Sequence, residues 1–344
     1  MSNHCRGGSQ LKKYNPLWII PILYVLTLLL IPAVVLLPFS KHQEEKQSTE
    51  QPKQTQEGET LTVEVYRDQL DTVEQIELES YVSGVVASEM PASFEEEALK
   101  AQALAARTYV TRLISAGGAE GLPQKADITD TTAHQVYKSD QELKELWKDE
   151  FDWKKEKIDQ AVAATKGEVL TYEGKPITAS FFSTSNGWTE NAKDYWEEDI
   201  PYLQSVESSW DEEVAPEFLS EVSIPITEFE EKLGITLSDG EIGTVMERTP
   251  GHRIKTVSIA GQSFTGREIR EKLGLRSTDF HWAQKGDSIV IQTKGFGHGV
   301  GMSQYGANGM AKEGKSYGEI VTHYFKGVEI GTVDKILPSL VAQK

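Results

Sequence analysis

Between Tyr14 and Ser40 the chain carries no charged residue. The core of this stretch, LWIIPILYVLTLLLIPAVVLLPF, is rich in Leu, Ile and Val throughout. A helix of that length crosses the roughly 30 Å hydrocarbon layer of a bilayer. Pro21 and Pro32 are tolerable inside a membrane helix, Pro38 falls at the exit, and Trp18 suits an interface. Arg6, Lys12 and Lys13 precede the span, which favours a cytoplasmic N-terminus. A cleaved signal peptide would have a shorter apolar region followed by a small-x-small site, and no good site follows here. The expected layout is a cytoplasmic tail (1–13), a single-pass anchor (14–40) and an outer part facing away from the cytoplasm.

Residues 41–60, KHQEEKQSTEQPKQTQEGET, have almost nothing to bury and read as a flexible linker. Residues 61–335 carry the patterning of a folded domain, with a less regular subdomain at about 195–285 and a short tail at 336–344. The single cysteine, Cys5, lies before the span, so the outer part has no disulfide and no thiolate metal site. A formal net charge of −18 argues against a nucleic-acid partner, since phosphate binding needs a basic surface. A neutral or weakly charged polymer fits better.

Helical and strand periods alternate along the outer part without a βαβ rhythm, which predicts an α+β fold of mixed helices and antiparallel hairpins. LTVEVYRD (61–68) alternates as a strand. IELESYVSGVVAS (76–88) has helical spacing and stops at Met90-Pro91, because a residue before proline avoids the helical region. Ser93-Phe94-Glu95-Glu96 fits a capping box and predicts a second helix starting at Ser93. Residues 140–165 look helical, 167–185 read as a hairpin turning at Glu173-Gly174, and 226–235 as a short helix. HRIKTVSIAGQSFTG (252–266) predicts a further hairpin, 288–295 a strand, and Thr265 and Ser316 capping boxes for two more helices.

Four features could carry chemistry. In VVASEMPASFEEE (85–97), Glu95, Glu96 and Glu97 belong in a first helical turn, where exposed N–H groups and the dipole stabilise them. Glu89 stands apart, near a helix C-terminus and among Val85, Val86, Ala87 and Met90. There its pKa would rise, fitting a general acid, although an ordinary surface glutamate is the alternative. In GFGHGVG (295–301), glycine recurs at alternate positions; the run matches neither a phosphate loop nor a dinucleotide fingerprint. His298 within it is either a catalytic or substrate group or a structural histidine, and Gln304 and Tyr305 follow on a turn that could face the same cleft. Asp127, Asp130, His134, Gln135 and Tyr137 lie on one loop whose spacing is not a recognised metal-ligand set, and side-chain hydrogen bonding accounts for it. Ser183, Ser185 and Asn186 beside Trp188 suit sugar recognition or an ordinary turn. No Gly-x-Ser-x-Gly elbow is present.

Four segments in order, EMPASFEEEALKAQALAARTY, FFSTSNGWTENA, TGREIREKLGLRSTDF and GFGHGVGMSQYGANGMA, together with the anchor, resemble the stage II sporulation protein D and amidase-enhancer family. The resemblance spans roughly 60–335. It implies a two-lobed outer domain with a glycan groove, in a lytic transglycosylase that cleaves peptidoglycan strands during forespore engulfment. The catalytic acid/base would be Glu89, with His134, Gln135 and Tyr137 lining the groove. It implies stage II sporulation proteins P and M as partners and the mother-cell membrane at the septum as the location. Some relatives bind zinc through Cys and His in the loop corresponding to 127–137; with no cysteine here, no metal or other cofactor is expected. Two other readings remain: a glycan-binding module that recruits a wall amidase without cutting, and a lysozyme-type hydrolase using Asp127 or Asp130 as second carboxylate.

Overall fold

The computed structural model describes residues 61–238 and 242–337. The expected anchor, linker and end of the tail lie outside these residues. Among the described residues no helix is long and apolar enough to cross a membrane.

The described residues open on a hairpin, β1 (Thr62–Arg67) and β2 (Thr72–Glu77). Ile76 and Glu77 are therefore strand, not helix, and α1 runs over Leu78–Glu89 with the Glu77 carboxylate accepting from the Ser80 N–H. Helix α2 (Glu96–Ser115) starts three residues later than its capping box suggested. Glu95 is the N-cap, its side chain makes no cap bond, and its own N–H donates to the Asn308 side chain 2.9 Å away. A distant side chain thus replaces the local one. β3 (Ile128–Thr129) adds to β1 in parallel. The predicted helix at 140–165 is two, α3 (Asp140–Trp147) and α4 (Phe151–Ala164), bent at Lys148, whose φ is 49°.

The hairpin at 167–185 keeps its turn but not its second arm. β4 (Glu168–Tyr172) pairs with only two residues, β5 (Lys175–Pro176). The chain then leaves as β6 (Phe181–Phe182) and, after the short helices α5 (Ala192–Trp196) and α6 (Trp210–Val214), enters a second region. That region was expected to be less regular, yet it has its own core. It contains β7 (Leu219–Pro225), α7 (Ile226–Leu233), β8 (Thr244–Arg248), β9 (Ile254–Ile259), β10 (Gln262–Thr265), α8 (Gly266–Leu273), β11 (Phe280–Lys285) and β12 (Ser288–Lys294). Two antiparallel sheets, β11-β12-β7 and β10-β9-β8, enclose Phe229, Val257, Ile269, Phe280 and Ile291. Its first strands are mostly exposed, β7 burying Ile224 alone and β8 burying nothing, so no alternation marked them in the sequence. The chain returns through β13 (Met302–Ser303), parallel to β6, to α9 (Gln304–Lys312), α10 (Tyr317–Tyr324) and β14 (Glu329–Thr332) against β4.

The larger core is built around α2. Ala98, Ala101, Ala103, Ala105 and Ala106 are all fully buried, so the small residues face several sides at once. A helix apolar all round belongs inside a fold, and here α1, α4, α9 and β4 pack on it. Arg107 is fully buried on the same helix and satisfied by both Glu79 carboxylate oxygens and by the Val162 and Glu168 carbonyls. Removing Glu79 would leave an uncompensated buried charge, a loss of about 3–5 kcal/mol.

Candidate active site

Glu89 is the last residue of α1. Met90 is extended (φ −127°, ψ 135°), and Pro91 prevents the helix from continuing. The carboxyl is half-buried at the helix end, where the dipole offers it nothing. Burial raises its pKa above the ordinary carboxylate range; the Val136 N–H, donating to Oε1 at 2.8 Å, partly offsets this.

Val136 reaches Glu89 because the loop that carries it lies directly on α1 at Gly84. A Cβ on Gly84 would stand 2.4 Å from the Tyr137 ring and 2.6 Å from the Lys138 carbonyl. Arg67 fixes the other face of the loop: its guanidinium pairs with Asp130, Glu74 and Glu142 and sits 5.0 Å over the Tyr137 ring. Tyr137 itself stacks on Tyr81 at 5.4 Å, and burial pushes its hydroxyl up to about 12. It supports the loop rather than lining the cleft.

Glu89 opens onto a cleft of about 740 Å³. His134, Gln135 and His298 line it, together with Tyr109, Arg112, Thr132, Thr178, Ser180, Trp196, Glu198 and Arg267, which sequence reasoning did not single out. His134 Nδ1 is 2.9 Å from the Thr129 hydroxyl, and burial lowers its pKa. Gln135 is buried; its Oε1 accepts from the Tyr81 hydroxyl, and its Nε2 has no partner among the described residues. Arg112 likewise has a buried Nε without a partner there.

His298 is the structural alternative of the two that its sequence left open. The Val300 N–H donates to Nδ1 at 3.0 Å, so Nε2 carries the proton and donates to the Phe181 carbonyl at 3.1 Å. Both nitrogens are used. Burial first, then Arg270 and Arg253, push its pKa down to about 4. Only the face and edge of this neutral ring, among Phe182, Tyr195 and Trp196, remain to meet a ligand.

Five other expected ligand contacts stand behind the cleft. Ser185 is fully buried, and its hydroxyl donates to Asp211, which also receives Ser208 and Ser303. Burial raises the Asp211 pKa, against the pull of those donors. The Ser183 hydroxyl is shared with Thr184, and the Asn186 amide donates to Gly251 and Asp279 of the second region. The Gln304 amide donates to the Glu89 carbonyl at 3.0 Å, and the Tyr305 ring meets Phe94 edge-on at 4.9 Å. With Asn308 on the Glu95 N–H, one face of α9 thus holds the whole stretch 89–95. Of the residues missed, only Tyr109 and Arg112 carry a signal readable in the sequence: three apart, they occupy one helix face at the end of α2.

The donors in 127–137 do not fit a zinc site. Asp130 is taken by Arg67 and the Asp68 N–H, and His134 Nδ1 by Thr129. Asp127 accepts from the Glu64 N–H. Neither aspartate lines the cleft, so neither is placed as the second carboxylate of a hydrolase; the other carboxylate in the lining is the exposed Glu198.

Residues 66–172, which include α1, α2 and the loop on Glu89, match the family model described as Stage II sporulation protein. The chain is 47% identical over 343 residues to stage II sporulation protein D of Bacillus amyloliquefaciens, covering 94% of this chain and 99% of that one. It is 47% identical over 330 residues to stage II sporulation protein D of Bacillus subtilis (strain 168), covering 92% and 96%. An amidase enhancer of the same strain is 30% identical over 303 residues, covering 72% of this chain and 40% of the enhancer. With its cleft and these relatives along nearly its whole length, the chain belongs to the stage II sporulation protein D family.

Proposed function

We propose that the chain is a membrane-anchored lytic transglycosylase that cuts the glycan strands of peptidoglycan, with Glu89 as its acid and base. The observation that carries this is one half-buried carboxyl, its pKa raised by burial, held by a single backbone donor in a polar cleft. With Val136 bonded to Oε1, Oε2 is the oxygen positioned to carry the proton. Oε2 protonates the glycosidic oxygen as its bond to the muramoyl C1 breaks. The carboxylate then takes the proton of the same sugar's C6 hydroxyl as O6 bonds to C1. The proton is returned, a 1,6-anhydro end forms, and no water is consumed. A glycosidase that hydrolyses usually needs two carboxylates, whereas this cycle needs one.

On this reading the span at 14–40 anchors the protein, the cleft works outside the cytoplasm at the sporulation septum, and stage II sporulation proteins P and M are its partners. The test is to incubate the full chain in detergent with peptidoglycan and weigh the products. Anhydro-muramoyl ends that vanish with Glu89→Gln support the mechanism. Products heavier by one water, lost also with Glu198→Gln, would make it a hydrolase. The similarity to an amidase enhancer favours a second reading, a glycan-binding module that recruits an amidase. Binding to sacculi without any new ends would select that one.

A further inference from the structure

Glu89 lines two cavities. Besides the cleft with His134 and His298, it belongs to the wall of a separate one of about 530 Å³, bounded by Pro91 and by the corner between α3 and α4. That corner presents apolar surface to solvent. Leu146 is 59% exposed and Trp153 45%, whereas most large apolar side chains of the fold are buried. Exposed apolar groups gathered at a cavity mark a binding surface. The indoles here are also held in place. Lys154 Nζ lies 5.4 Å from the Trp147 ring and 5.6 Å from the Trp153 ring, and is itself paired with Glu150 at 2.8 Å.

We infer that the Trp153 cavity is a second glycan-binding site, which takes the sugars of the same strand that lie beyond Glu89 from the His134 cleft. This rests on the proposed glycan-cleaving function. A strand cut within its length extends to both sides of the acid, so sugars must be held on both sides. The two cavities share Glu89 in their walls. One offers hydroxyls, His134 and Arg112, which suit hydrogen bonding at the reacting sugar. The other sets the indoles of Trp147 and Trp153 and the Leu146 side chain beside Ser88, Ser93 and Lys154, and an indole suits the C–H face of a pyranose ring. Glu89 in both walls selects the glycan it would cut over a protein segment as the occupant.

The experiment uses the full chain in detergent, carrying Glu89→Gln so that strands stay whole. The probes are a disaccharide and an octasaccharide of peptide-free peptidoglycan, and affinities are read by calorimetry. Adding Trp153→Ala should weaken the octasaccharide about tenfold, the scale of one lost aromatic contact, and leave the disaccharide unchanged. Trp153→Phe should restore most of the affinity. If Trp153→Ala binds the octasaccharide as tightly as its parent, the second site is wrong while the cleavage chemistry stands. If the Glu89→Gln protein binds neither probe, the glycan reading of the whole cleft falls and takes the second site with it.

Discussion

Substituting Gln304 by alanine separates what the sequence suggests from what the fold does. As a ligand contact, Gln304 would matter to substrate affinity alone. As the donor to the Glu89 carbonyl at 3.0 Å, it satisfies a group at the open end of α1 and fixes where the acid sits. Gln304 is only 6% exposed, so water does not readily replace it. Stranding a buried carbonyl costs roughly 1–3 kcal/mol. Taking about 2 kcal/mol, a domain of this size should melt about 4 °C lower. Gln304→Glu should fall further, since it sets a carboxylate against the carbonyl. The assay pairs thermal unfolding with the rate of anhydro-end release. A lowered melting point with reduced kcat and little change in KM is the expected result. Asn308→Ala should lower stability in the same way, and the double variant should lose less than the sum, because both residues hold one segment. A Gln304→Ala protein of unchanged stability and raised KM would refute this reasoning and return the residue to the substrate.

Glu89 should show the opposite balance. Burial raises its folded pKa, so the stability it contributes is complete below the unfolded pKa and is lost as pH rises through the folded one. Glu89→Gln should therefore melt no lower than the parent at neutral pH while losing about 10²–10⁴-fold in rate; a clear fall in melting temperature would contradict this. The rate of the intact protein should decline as pH rises through a midpoint above the ordinary 4.5 of a glutamate. With His298 held near 4, that protein should show no break from it between about pH 6 and 7, where an unperturbed histidine titrates. Gly84→Ala places a methyl against Tyr137 and should cost about 1–3 kcal/mol. It should also slow cleavage by moving the Val136 donor, and full activity in that variant would show that the loop does not set the acid.

Element by element, the sequence was most informative where the physics is local. The capping boxes at Thr265 and Ser316 both form, because each Ser/Thr and Glu pair closes within four residues. Ser93 has the same pattern but caps nothing: the helix starts at Glu96, and Asn308, more than two hundred positions away, holds the N–H of its N-cap Glu95. The isolation of Glu89 was visible as a carboxylate among apolar neighbours at a helix end. What surrounds it was not, because Gln135, Arg112 and Ser180 reach the cleft from elements far apart in the chain. Ser185 and Asn186 misled for a related reason: small polar residues on a loop look alike whether they meet a sugar or a buried Asp211.

The glycine run and the Glu89 stretch turn out to be parts of one arrangement. Gly295, Gly297, Gly299 and Gly301 all have positive φ, between 79° and 116°. At Gly301 a Cβ would fall 2.1 Å from the Ser180 carbonyl, and at Gly299 one would fall 2.6 Å from the Arg253 guanidinium. The run is thin so that it can pass between the segment around β6 and a fully buried arginine. Arg253 in turn donates to the Trp188 carbonyl, so the run, the Trp188 loop and the second region lock together there. His298 faces the cleft from within the run, with both nitrogens spent on keeping it closed. Three residues beyond Gly301 the chain enters α9, whose Gln304 and Asn308 hold the two ends of 89–95. Glycine density here sets the position of a helix, and through that helix the position of the acid. A bulky residue at Gly301 should therefore impair Glu89 through α9 as well as by displacing Ser180 in the cleft wall.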